Sequence, residues 1–433
     1  MDRGVIGRRL RLSSGSPPGS LTVLVLGGAI AALVAVCVAT ALPPGSMVAA
    51  QPQSIRTGPL EWTRLFASAQ LIAFMLFCAS LLLVRHRAPS KGKVLLLAAT
   101  IQLLPLAGPL MLSTDAWSYL NAGRIAVVHG GNPYEDVPDA FSEDPTIGYI
   151  NPTWRDDTIV YGPAFVAGSE GIARIAQDQL TLALWLFKAI GGASMVLVTV
   201  VVSSIAKRAA FAAVFIGWNP VFAIQFAGSG HNDVIVAAAV VLALALGARA
   251  RSHEAGMAWT LAVLLKWTPL ILIPLQLLAD RAGHKRSILP GLAVGSALLA
   301  TASTVLFGWS WLGTFGPLAD HASSTEVNSL AIWPRLADWL PSTLIKLGPL
   351  VAFGVAYAFL LWEASRGRAR HGLTMVLFLV ASPFLFTWYV VMPAALSAIE
   401  DDILAIWLVL GLTAYTGLLY LGRVGSLFDV FGW

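Results

Sequence analysis

Long apolar runs alternate with short polar clusters along the whole chain. The runs near 21–42, 62–84, 93–112, 180–206, 209–228, 232–248, 287–308, 343–362, 373–395 and 403–422 are close to the roughly 20 residues a helix needs to cross a bilayer. This pattern predicts an all-α polytopic membrane helix bundle with about 10 full spans. The clusters between the runs are unequal in charge. With a cytoplasmic N-terminus and strict alternation, 19 of the 28 Lys and Arg residues fall on the cytoplasmic side, from Arg3, Arg8, Arg9 and Arg11 to Arg423. Only five of the 23 acidic residues do so: Asp2, Glu254, Asp280, Glu363 and Asp429. The positive-inside rule therefore puts both termini in the cytoplasm and the long polar loops 113–158 and 309–340 outside.

Three segments modify this picture. Residues 255–279 have basic flanks on both sides and Lys266-Trp267-Thr268-Pro269 in the middle. A Lys is costly in lipid and a Pro interrupts the helical ladder. These residues predict a broken pair of half-helices that enters and leaves on the cytoplasmic side; the alternative is one kinked span with Lys266 snorkelling. Residues 159–177 carry Glu170 and Arg174 and read as an interfacial helix attached to the first long outer loop. Ala39-Thr40-Ala41 resembles a signal-peptidase site, but the apolar stretch before it is longer than an ordinary signal-peptide core of about 7–15 residues. It reads as an uncleaved first span.

Composition supports a membrane protein. The chain is 57% hydrophobic and 12% charged, with a mean hydropathy of +0.74. A soluble chain carries about 25% charged residues. The net charge of +5 is spread over the short inter-span clusters, which excludes a nucleic-acid surface and marks orientation instead. Cys37 and Cys78 both lie inside apolar runs and form no disulfide or metal framework. Three regions are expected: 1–92 with two spans, 93–280 as a catalytic core including loop 113–158, and 281–433 as a C-terminal transmembrane region.

The candidate chemistry gathers on the outer side. Asp115, directly after the third run, sits among Trp117, Ser118 and Tyr119, where a carboxylate can serve as a general base. It could equally be a helix N-cap, because Ser118–Val128 reads as a short helix. Gly130-Gly131-Asn132-Pro133-Tyr134 is a tight turn. Trp154-Arg155-Asp156-Asp157 and Tyr161-Gly162-Pro163 add a cation, two carboxylates and a second turn. Ser229-Gly230-His231-Asn232-Asp233 joins two runs at the same face, and His231 with Asp233 is too little for a metal site. There is no phosphate-binding glycine loop, no dinucleotide fingerprint and no zinc-protease motif.

Taken in order, Thr114–Tyr119, Gly123-Arg124, Gly131–Tyr134, Pro152–Arg155, Tyr161–Pro163, Gly230–Asp233 and Lys266–Pro269 resemble the actinobacterial GT-C glycosyltransferases that use polyprenyl-phosphate sugars. The similarity is to the alpha-1,6-mannosyltransferases of lipomannan and lipoarabinomannan synthesis and spans about residues 93–400. It implies a GT-C-like bundle in the plasma membrane with an extracytoplasmic active site. It also implies a polyprenyl-phosphate sugar donor, a glycolipid or cell-envelope glycan acceptor, and no cofactor or metal. Asp115 would take the proton of an acceptor hydroxyl that attacks the anomeric carbon with inversion. Arg124, His231 and Lys266 are the candidates to meet the departing phosphate. Trp117, Tyr119, Tyr134, Trp154, Arg155, Tyr161, Asn232 and Asp233 are the candidates for substrate contact.

A transporter or flippase of a lipid-linked or polar solute is the competing reading, since broken helices and intramembrane lysines occur there too. The sequence shows no paired interruption in corresponding halves to favour it, and its polar groups gather at one face. A scaffold for a partner enzyme leaves the aromatic, acid-rich outer loop unexplained.

Overall fold

The computed structural model describes residues 20–50, 58–314, 316 and 329–424. Arg3, Arg8, Arg9, Arg11, Asp2, Asp429 and part of loop 309–340 lie outside the described residues. Among the described residues regular structure is helical, with a single extended bridge between Ala49 and Met111.

The helices follow in chain order. α1 (Ser20–Ala41) and α2 (Leu60–Val84) pack along each other. α3 (Lys91–Leu103) leads through an ordered linker to α4 (Asp115–Val127) and α5 (Pro163–Ala176). Next come α6 (Leu180–Ile205), α7 (Ala209–Gly217), α8 (Pro220–Ala223) and α9 (Asp233–Ala248). The second half holds α10 (Ser252–Leu265), α11 (Ile273–Ala282), α12 (Leu289–Phe307) and α13 (Ser342–Ser365). α14 (His371–Ala381), α15 (Val391–Glu400) and α16 (Ile403–Val424) complete it.

Six of these helices (α1, α2, α6, α12, α13 and α16) are long and apolar enough to cross a membrane, and the bent segment from α7 through Gly228 would be a seventh. This is fewer than the apolar runs suggest, and prolines explain most of the difference. The run 93–112 stops being α-helical at Leu103, because Pro105 opens a 3-10 turn. The Lys188 ammonium donates to the Gly108 and Pro109 carbonyls beyond it, satisfying backbone the helix has abandoned. The run 209–228 bends by 48° at Asn219-Pro220. There the Gln102 amide donates to the carbonyls of Gly217 and Asn219, 3.1 Å from each. Residues 159–177 hold α5, whose 14 residues are shorter than the roughly 20 a crossing needs.

The break at Lys266 is present, and it belongs to a hairpin. α10 leaves from the end of the bundle where His253 packs on Gly291 at the start of α12. The chain opens at Lys266, which is extended (φ −159°, ψ 137°), and passes through a 3-10 turn into α11. α11 ends with Ala282 against Gly367, beside the Arg366–Arg370 cluster. The two legs thus begin and end at the same, basic end of the molecule.

A second hairpin was not expected. The run 373–395 is broken by Ser382-Pro383 into α14 and α15. At their outer ends Arg370 binds Asp402 at 2.7 Å and His371 lies 2.9 Å from Glu400. Arg208 pairs with Asp401 at the same place, and Arg85 lies over Phe211 and Trp407. Alternation assigned Glu400, Asp401 and Asp402 to the acidic side; they neutralise the basic end instead. α16 starts there and runs to Tyr420 at the opposite end. The described chain therefore begins and finishes at opposite ends of the bundle. Both hairpin breaks, at Lys266 and at Ser382-Pro383, lie in the second half of the chain.

The three expected regions share one core. Val23 and Phe66, Ile101 and Trp218, and Leu385 and Val391 belong to the same buried cluster. Both cysteines are free.

Candidate active site

The hairpin tips, the linker 108–114 and the outer loop enclose a cavity of about 820 Å³. Asp115, Tyr161, Asp233, Lys266 and Tyr389 all line it. The lining from α4 and the outer loop is partly polar, with Asn121, Asn151, Thr153, Arg155 and Asp157. The lining from the second hairpin is mostly apolar, with Met375, Phe378, Leu379, Phe384 and Phe386.

Asp115 is fixed by the linker before it. Residues 110–112 are clamped between neighbours: Ala50 N–H donates to Leu110 O, Leu112 N–H to Val48 O, and Met111 N–H to Gly228 O. Leu112 then turns through φ +61°. The Ser113 hydroxyl donates to Asp115 Oδ1 at 3.0 Å, and the Asp115 N–H donates back to Ser113 Oγ at 3.2 Å. Thr114, not Asp115, is the N-cap residue of α4, and no side chain caps it. The capping role is thereby replaced by a carboxylate whose side chain is 34% exposed and opens on the cavity. Burial pushes the Asp115 carboxyl up. Contact with His231, the Ser113 bond and the charge of Lys266 outweigh this and hold it below its usual 3.8.

His231 lies behind Asp115, with Nδ1 3.3 Å from Oδ2. It is fully buried and does not line the cavity. Gly230, at φ +73°, makes the turn that puts it there, with Ala116 and Phe187 close on its Cα. Lys266 donates to Asp233 Oδ1 at 2.6 Å and stands 4.3 Å from the Tyr389 ring centre and 5.6 Å from that of Tyr161. The second Asp233 oxygen has no hydrogen-bond partner among the described residues.

The tyrosine–glycine–proline motif explains how the outer loop reaches Lys266. Gly162 N–H donates to Leu265 O at 3.1 Å, and a Cβ on Gly162 would stand 2.1 Å from Leu264 O. Only glycine allows this approach. Tyr161 shares a 3.4 Å hydroxyl hydrogen bond with Tyr119. Burial first, then Asp115 and Asp233 beside both rings and Tyr161 beside Tyr119, push both hydroxyls well above 10.0, so they remain protonated donors.

Other candidates are placed elsewhere. Arg124 does not face the cavity. Its Nε binds both oxygens of the buried Asp144, at 2.9 and 3.3 Å, and its terminal nitrogen reaches Gln177 O. The reason is geometric: Asn121, Ala122 and Ile125 occupy the cavity face of α4, and Arg124 points to the loop packed behind it. His129 completes this cluster, 2.8 Å from Asp144. Trp117 is buried, stacked on Tyr149 at 4.0 Å, and Tyr149 is the ring that reaches the cavity. Tyr134 donates to Tyr161 O at 2.9 Å and packs on Phe307, so it supports the wall without lining it. Asn232 is buried behind the wall as well. Tyr119, Trp154, Arg155, Tyr161, Asp233 and Lys266 do line the cavity.

Sequence reasoning missed Trp388 and Tyr389. Their signal was Phe384-Leu385-Phe386-Thr387-Trp388-Tyr389 after Ser382-Pro383, an aromatic cluster following a helix breaker inside an apparent span. Among the described residues no group of three His, Cys, Asp or Glu is placed to hold a metal.

Helices long and apolar enough to cross a membrane thus surround a cavity lined by carboxylates, a lysine and aromatic rings. The family model described as alpha-(1->6)-mannopyranosyltransferase, N-terminal domain, matches residues 23–280, and the chain belongs to this family. It is 25% identical over 262 residues to alpha-(1->6)-mannopyranosyltransferase A of Corynebacterium glutamicum, covering 55% of this chain and 53% of that protein. It is 24% identical over 417 residues to a probable alpha-(1->6)-mannopyranosyltransferase of Mycolicibacterium smegmatis, covering 79% and 72%. It is also 24% identical over 330 residues to alpha-(1->6)-mannopyranosyltransferase A of Mycobacterium tuberculosis, covering 67% and 63%. The matches thus span from about half to under three quarters of the relatives' own length. No solved structure matches the chain.

Proposed function

We propose that this protein transfers a mannosyl residue from a polyprenyl-phosphate donor to a hydroxyl of a glycolipid or envelope glycan, with inversion. The observation that carries this reading is Asp115, ionised, in the wall of one cavity that polar residues of the outer loop and apolar residues of the second hairpin both line. The apolar side suits the first isoprene units and the polar side suits an acceptor sugar. The acceptor oxygen attacks the anomeric carbon, its proton passes to Asp115, and the bond from that carbon to the phosphate oxygen breaks. Charge then collects on the departing phosphate, where a fixed cation in a sheltered site is worth most. Lys266 is the residue for that role, since it lines the cavity and Asp233 and Tyr389 hold it in place. Tyr161 and Trp154 offer ring faces to the sugars. Mannose is taken from the names of the relatives.

The positive-inside rule orients the bundle with its basic end in the cytoplasm and the cavity on the extracytoplasmic face of the plasma membrane. By the geometry of α16, the C-terminal end of the described chain then lies outside.

Paired broken helices are also a transporter feature. The two hairpins here differ in what their tips carry: Lys266, Trp388 and Tyr389 gather around a carboxylate beside an outer-loop wall. Purified protein in vesicles, given labelled polyprenyl-phosphate mannose and a mannose-bearing glycolipid, separates the two readings. Label covalently attached to the glycolipid supports transfer. Labelled donor that crosses the vesicle unchanged, with no glycolipid labelled, overturns it.

A further inference from the structure

The second hairpin lies outside the matched residues 23–280, yet its tip touches the innermost part of the site. Trp388 stacks on the His231 imidazole with ring centres 3.7 Å apart and an interplanar angle of 14°. Phe386 covers the other face of Trp388 at 4.7 Å and 6°. Tyr389 and Tyr420 close its edges, each 6.0 Å away and nearly perpendicular. The result is a three-ring stack, His231–Trp388–Phe386, anchored on α15 and α16.

A histidine that works beside a carboxylate usually has its ring fixed by a hydrogen bond from its second nitrogen. Here both ring nitrogens are buried and neither has a hydrogen-bond partner among the described residues; Nδ1 stands 3.3 Å from Asp115 Oδ2 as a close ionic contact without hydrogen-bond geometry. The backbone is held, with Gly230 N–H donating to Phe226 O and His231 N–H to Gln225 O, but these bonds do not fix the ring about χ2. The face-to-face stack takes the place of the missing bond. A ring rotating about χ2 would leave Trp388 and carry Nδ1 away from Asp115 Oδ2.

We propose that Trp388 is a positioning residue for glycosyl transfer, holding His231 flat so that Nδ1 faces the Asp115 carboxylate. This rests on the reading of Asp115 as the base. The ionisable groups around the pair are Lys266, Asp233, Tyr119, Tyr161 and Tyr389, with Lys188 on α6 committed to the Gly108 and Pro109 carbonyls. Of these, His231 makes the strongest contact that keeps Asp115 ionised against its burial. A displaced imidazole therefore raises the pH at which Asp115 takes up a proton.

The test uses the full chain in detergent, with labelled polyprenyl-phosphate mannose and a mannose-bearing glycolipid, and compares Trp388→Leu, Trp388→Phe, Phe386→Leu and Asp115→Asn. Trp388→Leu is expected to lower kcat about 10- to 100-fold, the usual cost of a lost orienting partner, with both KM values nearly unchanged. Its acid limb moves up by about one pH unit, because the base is less well held in its charged form. Trp388→Phe keeps a ring face and regains most of the rate. Phe386→Leu, which loosens the stack from its far side, moves the limb in the same direction by less, and it carries the test if Trp388→Leu does not accumulate. A Trp388→Leu or Phe386→Leu enzyme with reduced yield but the wild-type pH profile overturns the proposal, as does Trp388→Phe being as slow as Trp388→Leu. An active Asp115→Asn enzyme would instead defeat the underlying assignment of the base.

Discussion

Lys266 reaches across from the tip of the first hairpin to donate to Asp233 Oδ1, 2.6 Å away, although 33 residues separate them. The contact joins the two short motifs that the chain interposes between apolar runs. It also explains how a lysine is accommodated so deep: its charge is matched by one carboxylate oxygen and faced by the Tyr389 and Tyr161 rings. Removing one partner of such a pair leaves a buried charge unmatched, a cost of about 3–5 kcal/mol.

Lys266→Met should therefore lower both stability and transfer. The double variant Lys266→Met/Asp233→Asn removes both charges and should recover much of the stability. It should not recover the rate, which we expect to stay roughly 100- to 1,000-fold down for want of a cation at the leaving phosphate. Unfolding midpoints and transfer rates measured side by side check this. A double variant with the wild-type rate would show that Lys266 serves the fold alone.

Arg124 gives the opposite expectation. It is 5% exposed, paired with an Asp144 that is wholly buried, and it does not line the cavity. Arg124→Ala should destabilise the outer loop by about 3–5 kcal/mol while leaving the donor KM of the folded fraction unchanged. Burial pushes Asp144 up, but bonds from Thr146, His129 and Arg124 hold it below its usual 3.8. A carboxylate depressed in the folded state contributes fully above its unfolded value and loses that contribution as pH falls through the folded one. Protease resistance of loop 113–158 should thus persist down to about pH 4 and fail below it. Resistance lost near neutral pH would contradict the role of this cluster.

Much of this arrangement was legible in the sequence, and the rest was hidden for physical reasons. Composition gave the helical membrane class, and Pro269 beside Lys266 marked the first hairpin. Asp115, Asp233, Lys266 and Tyr161 were singled out from short motifs and do meet in one cavity. The second hairpin was concealed because both its legs are apolar, so hydropathy alone reads 373–395 as one crossing. Its acidic end misled further: Glu400, Asp401 and Asp402 look like an outer loop until their partners Arg208, Arg370 and His371 are seen. Arg124 was expected at the cavity and meets Asp144 instead, because helix position says which turn a side chain occupies, not which of two neighbouring surfaces it meets.

That hairpin makes a topological prediction. Asp139 is exposed on the outer loop, and the end of α16 lies at the same end of the bundle. An impermeant thiol reagent applied to intact cells carrying Asp139→Cys and a compartment-sensitive reporter fused at the C-terminus should give the same extracytoplasmic answer. Opposite answers would restore a full crossing at 373–395.

The central claim is that the Asp115 carboxylate takes the acceptor proton. Asp115→Asn keeps the size of the side chain and its bond to Ser113 but removes the base. The most direct measurement is the rate of mannosyl transfer from labelled polyprenyl-phosphate mannose by this variant, with insertion and thermal stability matched to wild type. The account predicts a loss of about 100- to 10,000-fold, the range for removing a positioned general base. A folded Asp115→Asn enzyme that transfers at the wild-type rate would contradict it.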